Sequence, residues 1–148
     1  MVKRIEKRGY DQDFYAWTMH TVELLKHGKL SELDIEHLAE EIESVGKSEK
    51  RELINRLSIL MVHLLKWQFQ ATRRSKSWKL TIKNQRLELE DHLAESPSLK
   101  KEMASHFDRA YTRAVIKAAA ETGLDEQEFS PHSPFSIEDC FNADYFPT

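Results

Sequence analysis

A single cysteine, Cys140, stands in 148 residues, which excludes an intramolecular disulfide and fits a reducing compartment. Glycine and proline are scarce, four of each, and three of the prolines follow residue 130. Little before that point interrupts helices. Long apolar runs are missing: the longest uncharged helical stretch, Leu57 to Leu65, falls far short of the roughly 20 residues that span a bilayer. The opening, Met1 to Phe14, is charged and lacks an apolar centre, so no secretion signal is visible. Gly-rich phosphate loops, a Ser nucleophile elbow and zinc-finger spacing are all absent, and no cofactor is expected. These absences together predict a cytoplasmic protein with no membrane partner.

One further absence is local. Residues 53 to 87 carry no acid, yet hold eight bases: Arg56, Lys66, Arg73, Arg74, Lys76, Lys79, Lys83 and Arg86. Residues 118 to 148 reverse this, with seven acids and no Lys or Arg. The net charge of −3 therefore conceals blocks of opposite sign. Such blocks either meet a partner of opposite charge or pair within the molecule.

What is present is apolar residues at helical spacing almost throughout, with no sustained strand alternation. A first helix is expected from about Asp11, burying Phe14, Trp17 and Leu24 or Leu25 and stopping at Gly28. Ser31 offers a cap for the second, whose stripe is Ile35, Leu38, Ile42 and Val45 and whose stop is Gly46. Ser48 then caps a third, with Leu53, Leu57, Leu60, Leu64 and Trp67 on one stripe and Ile54, Met61 and Leu65 widening it. Gln70 to Ser77 reads as a connection. A fourth helix follows from about Trp78 to Glu95, with Trp78, Ile82, Leu89 and Leu93 facing inward. Ser96-Pro97 marks the start of a fifth, which buries Leu99, Met103, Phe107, Ala110 and Ala114 and ends at Gly123. Beyond it Phe129, Phe135, Phe141, Tyr145 and Phe146 make the end of the chain too aromatic for a disordered tail; one short helical turn capped by Ser136 is expected there. The expectation is an all-α fold, a bundle of about five helices in one domain over 1–148. Residues 1–9 are read as a flexible start and 124–148 as an irregular acidic tail packed on the bundle.

Several segments match a known pattern in order: Asp13-Phe14-Tyr15-Ala16-Trp17; Leu38 to Gly46 running into Ser48 to Leu53; His63-Leu64-Leu65-Lys66-Trp67-Gln68; Ser75-Lys76-Ser77-Trp78; and Thr81-Ile82. Together they resemble the bacterial domain-of-unknown-function family 29, over about Tyr10 to Pro147. Where that family often reads Gln-Pro, this chain has Gln70-Ala71. The resemblance implies an all-α fold and a bacterial or bacteriophage source. It implies no activity and supplies no catalytic residues.

Three groups of residues carry possible chemistry. The first is a basic ridge, Arg73, Arg74, Lys76, Lys79, Lys83 and Arg86, in which like charges three or four residues apart favour an anionic neighbour. Trp67, Phe69 and Trp78 are rings that could in principle stack on bases, although register makes Trp67 and Trp78 core residues and the acidic tail offers internal neutralisation. The second is Arg56 with His63, two helical turns apart, a spacing like the Arg-x(4–6)-His signature of HEPN-type ribonucleases. Against it, Glu52 lies four residues before Arg56 in the favourable ion-pair order. The third is a metal pair, His37 and Glu41, with Asp34 on the same edge and His63 or His20 as completing ligand. Gln68 and Gln85 fall on or near apolar stripes and need hydrogen-bond partners there. Cys140 has no activating base near it in sequence. The leading expectation is a non-enzymatic binding domain that uses the ridge for nucleic acid or an acidic protein. A helical ribonuclease and a self-associating structural protein, a homo-oligomer, are the alternatives.

Overall fold

In the computed structural model, which describes residues 9–148, the helices are α1 (Phe14–Lys26), α2 (Ile35–Phe69), α3 (Lys76–Glu95), α4 (Leu99–Thr122) and α5 (Ile137–Phe141). Residues 9–12 add a helical turn, and short 3-10 turns lie at Leu30–Glu32, Ala71–Arg73 and Glu126–Glu128. The described residues contain no strand, so the all-α expectation holds. Residues 1–8, most of the expected flexible start, lie outside the described residues. The chain divides into two compact units, one ending at Lys47 and one running from Ser48 to Thr148.

In the first unit α1 opens where the Asp13 carboxylate accepts the Ala16 N–H at 3.1 Å. It buries Trp17, Thr21 and Leu24, one helical stripe. Gly28, at φ +67°, takes the left-handed conformation that ends the helix, as its position in the sequence suggests. The next start differs from expectation. Ser31 sits in the 3-10 turn, and Asp34 does the capping, its Oδ1 accepting the His37 N–H at 3.3 Å.

Gly46 and Ser48 are a larger correction. Neither is a boundary: α2 is one helix of 35 residues that includes both. A glycine in an exposed helix interior costs only about 1 kcal/mol. It stops a helix where the chain needs a positive φ, and among the described residues only Gly28 and Gly123 have one. Glu, Lys and Arg, which favour helix, recur in the turns on either side of Gly46, and Lys47 pairs with Glu43 one turn back at 3.7 Å. The expected burial of the stripe in front of Gly46 also fails. Ile35, Ile42 and Val45 are 61%, 65% and 64% exposed, and Phe14 on α1 is exposed as well, while Leu24 is the leucine that α1 buries.

The second unit holds the main core. Leu53, Leu57, Leu60, Met61, Leu64 and Leu65 of α2 meet Ile82, Leu89 and Leu93 of α3 and Leu99, Met103, Tyr111 and three alanines of α4. Those alanines, Ala110, Ala114 and Ala118, recur every four residues and are fully buried, so a short side chain on that stripe lets the α4 backbone come close. Trp67, Phe107 and Phe69 pack on this core only partly buried. Helix α3 starts two residues earlier than expected, because the Ser75 hydroxyl accepts the Trp78 N–H at 3.2 Å. Pro97 precedes α4 instead of opening it, and Gly123, at φ +79°, ends it. The aromatic tail docks as expected: Phe129, Phe135 and Cys140 are core, and Ile137, Phe141, Tyr145 and Phe146 pack against it. Its short helix α5 carries the predicted cap, with Ser136 and Asp139 bonded reciprocally.

A basic ridge beside a clamped C-terminal segment

The six residues of the sequence ridge separate into two sets. Arg86 lies on the inward stripe of α3 with Ile82, Leu89 and Leu93, and is only 4% exposed. Its guanidinium reaches the end of the chain and donates to four main-chain carbonyls. Nε meets Cys140 O at 2.8 Å, Nη2 meets Asp139 O at 3.1 Å and Tyr145 O at 2.8 Å, and Nη1 meets Ala143 O at 3.4 Å. Two of these carbonyls belong to the last turn of α5, where helical carbonyls lack internal partners and carry the negative end of the helix dipole. Burial lowers the guanidinium's pKa, while Cys140, Tyr145 and Asp139 nearby act the other way. Arg74 does a similar task at the far end. Its Nε donates to Trp67 O at 2.7 Å, and its Nη2 to Thr148 O at 3.3 Å and Pro147 O at 3.5 Å. Phe146 lies between these two clamps, its ring 5.5 Å from the Arg86 guanidinium carbon and 4.9 Å from the Trp67 ring.

The second set is Arg73, Lys76, Lys79 and Lys83, all exposed. Among the described residues none of the four has a carboxylate within 4.0 Å. The acids of the tail do not neutralise them because several are already committed to helix starts. Asp125 and Glu128 close the capping box of one turn, and Asp139 closes that of α5. One pair does join the basic and acidic blocks, Lys66 to Glu121 at 3.0 Å, and Lys66 also lies 4.9 Å over the Trp78 ring. Lys79 stands 5.8 Å over Phe146, an amphipathic stem on an aromatic face.

Arg56 and His63 are each engaged with other groups. Arg56 is held by Glu52 at 3.0 Å and by Glu88 at 3.7 Å, in a cavity walled by further carboxylates that would repel a phosphate. The Nδ1 of His63 is turned back onto Ile59 O at 3.0 Å. In the first unit, Tyr10 joins His37 and Glu41. Tyr10 stacks on the His37 ring at 3.8 Å and donates its hydroxyl to Glu41 Oε2 at 3.0 Å. That carboxylate pushes the phenol up to about 12. Asp34 Oδ2 holds His37 Nδ1 at 2.6 Å, which raises the imidazole's pKa and lowers that of the carboxyl. The amide oxygens of Gln68 and Gln85 are buried without a protein partner among the described residues.

Cys140 is fully buried beside the Arg86 clamp, and burial pushes its thiol up to about 12. Near neutral pH it is therefore a thiol that reacts only when the tail opens. Replacing Arg86 by Met should cost at least about 3 kcal/mol by leaving several carbonyls without a donor. It should also speed Cys140 labelling by a disulfide reagent about tenfold or more. Arg86→Lys should recover only part of both, since an ammonium cannot fork across four acceptors. Urea unfolding and labelling kinetics measure the two effects; an Arg86→Met chain that labels as slowly as the native one would contradict the clamp.

No curated protein and no solved structure matches the chain. The family model described as "Domain of unknown function DUF29" matches residues 10–146. With nearly the whole chain covered, this helical protein belongs to the DUF29 family.

Proposed function

We propose that the chain is a binding domain, not an enzyme, and that Arg73, Lys76, Lys79 and Lys83 form the surface that takes an anionic partner. One observation carries this reading: four exposed cations on one short segment, α3 and the turn before it, with no carboxylate of the described residues near them. Lys79 and Lys83 are one turn apart and Lys76 precedes Lys79 by three residues, spacings at which like charges cost a few tenths of a kcal/mol each until an anion arrives. The rise from Lys76 to Lys83 is about 10 Å along the helix, long enough to follow successive phosphates of a strand. Because the chain as a whole is acidic, at −3, attraction has to come from this local patch and not from net charge. Single-stranded nucleic acid is the first probe, and an acidic protein is the alternative partner of the same chemistry. Four phosphate contacts would give a log–log salt slope near −3, and the double variant Lys79→Glu, Lys83→Glu should weaken binding more than about tenfold at low salt. Absence of any binding of labelled single-stranded RNA or DNA at about 50 mM salt would remove nucleic acid as the partner.

A second reading, self-association, rests on the exposed side chains of the first unit. Ile35, Ile42 and Val45, with half-buried Leu38 between the first two, recur at the alternating three- and four-residue spacing of a coiled-coil seam. Sedimentation equilibrium separates this reading from a monomeric binder: a dimer at micromolar concentration that Ile42→Glu dissolves supports it, and a monomer at every concentration refutes it.

A further inference from the structure

Between α2 and α3 in the second unit lies a cavity of about 250 Å³ lined by Glu49, Glu52, Arg56, Glu88, Asp91, His92 and Glu95. Five of the seven residues are carboxylates and only Arg56 is a permanent cation, so negative charge gathers in a concave wall. His92 enters that wall from the protein side. It is 8% exposed, and its Nε2 faces the cavity, 3.1 Å from Glu49 Oε2. Glu52 lies one turn along α2 from Glu49, and one ligand atom from each of Glu49, Glu52 and His92 falls within 4.8 Å of the others. Among the described residues no other group of three His, Cys, Asp or Glu converges so closely.

We propose that Glu49, Glu52 and His92 form a binding site for a divalent transition-metal ion of the zinc class. The geometry needs little change. Tetrahedral ligands at zinc distances stand about 3.4 Å apart, so the Glu49–His92 edge already has nearly the required length. Glu52 closes the remaining gap by turning an exposed side chain. Arg56 is a positioning residue in this arrangement: both its Nε and its Nη2 bond Glu52 Oε1, at 3.3 and 3.0 Å, which leaves Oε2 without a hydrogen bond for the ion. The ion takes the place of the hydrogen bond between His92 Nε2 and Glu49 Oε2, with the imidazole nitrogen as a ligand. A nitrogen donor with two carboxylates suits zinc over magnesium or calcium, which take oxygen ligands. Three protein ligands leave further positions open to water or to a second ligand.

The test uses the full chain without an affinity tag, titrated with zinc and, separately, with magnesium while heat release and melting temperature are followed. The expected result is one zinc per chain, a raised melting temperature and at least tenfold weaker binding of magnesium. Glu52→Gln, an exposed change that leaves the ion-free melting temperature nearly unaltered, should weaken zinc binding about tenfold or more, as should His92→Gln. His37→Ala, in the other unit, should leave it unchanged. Lack of zinc binding at about 100-fold excess over a micromolar Kd would overturn the proposal. So would zinc binding that survives Glu52→Gln, or binding that His37→Ala abolishes.

Discussion

The guanidinium of Arg86 holds a stretch of chain that otherwise has few means of staying in place. Residues 142–148 form no helix or strand, so their carbonyls find no partners in a regular ladder. Taking an unpaired charge out of water costs several kcal/mol, and Arg86 offsets that only because its donors find four acceptors at once. The carbonyls of Cys140, Ala143 and Tyr145 gain their donor from it, whereas Asp139 O also accepts the Asn142 N–H at 3.3 Å. Arg74 repeats the device with the last two carbonyls, and Phe146 fills the space between the two guanidiniums and Trp67. The result is a C-terminal segment held by main-chain oxygens and an aromatic ring, without an Asp or Glu side chain as partner to either guanidinium among the described residues.

That distinction decides what the charge blocks mean. An acid-free segment followed by a base-free tail invites the reading that one neutralises the other. In the structure the tail's acids act locally instead. Asp125, Glu128 and Asp139 satisfy the free N–H groups and positive dipole ends of the short helices that carry them. The tail therefore docks beside the ridge without cancelling it, and four of the six cations stay open to solvent while the other two are structural. The acidic cavity walled by α2 and α3 is the counterpart of this surface, with Arg56 as its one fixed cation.

Much of the fold was legible because it rests on local rules. Gly28 and Gly123 end helices where the chain takes a positive φ, and Ser136 caps the turn that its spacing to Asp139 predicts. The wide apolar face from Leu53 to Leu65 is core, as its breadth implies. Gly46 misled because a glycine marks a stop only when the backbone needs one, and the Glu-, Lys- and Arg-bearing turns on both sides carry α2 through it. Ile35, Ile42 and Val45 form a stripe that stays exposed, because periodicity identifies an apolar face without saying what covers it. Arg86 satisfied two patterns at once, the basic face with Lys79 and Lys83 and the apolar stripe with Ile82, Leu89 and Leu93. The second pattern prevails, and an arginine at a core position of a stripe was the available signal. Glu49, Glu52 and His92 lie on helices joined by a turn, and no spacing along the chain announces their convergence.

Main-chain hydrogen bonds and aromatic packing, not pairing with the acidic side chains of the tail, hold the tail beside an open ridge. Labelling of Cys140 in the native chain, followed as ionic strength rises from about 0.01 to 1 M with a neutral reagent, tests this directly, since that range shortens the screening length from about 30 to 3 Å. Buried hydrogen bonds are screened little, so the labelling rate should stay within about twofold across the range. A rate that climbs steeply with salt would show that acidic and basic blocks hold the tail down, and the ridge would then be the tail's own docking surface.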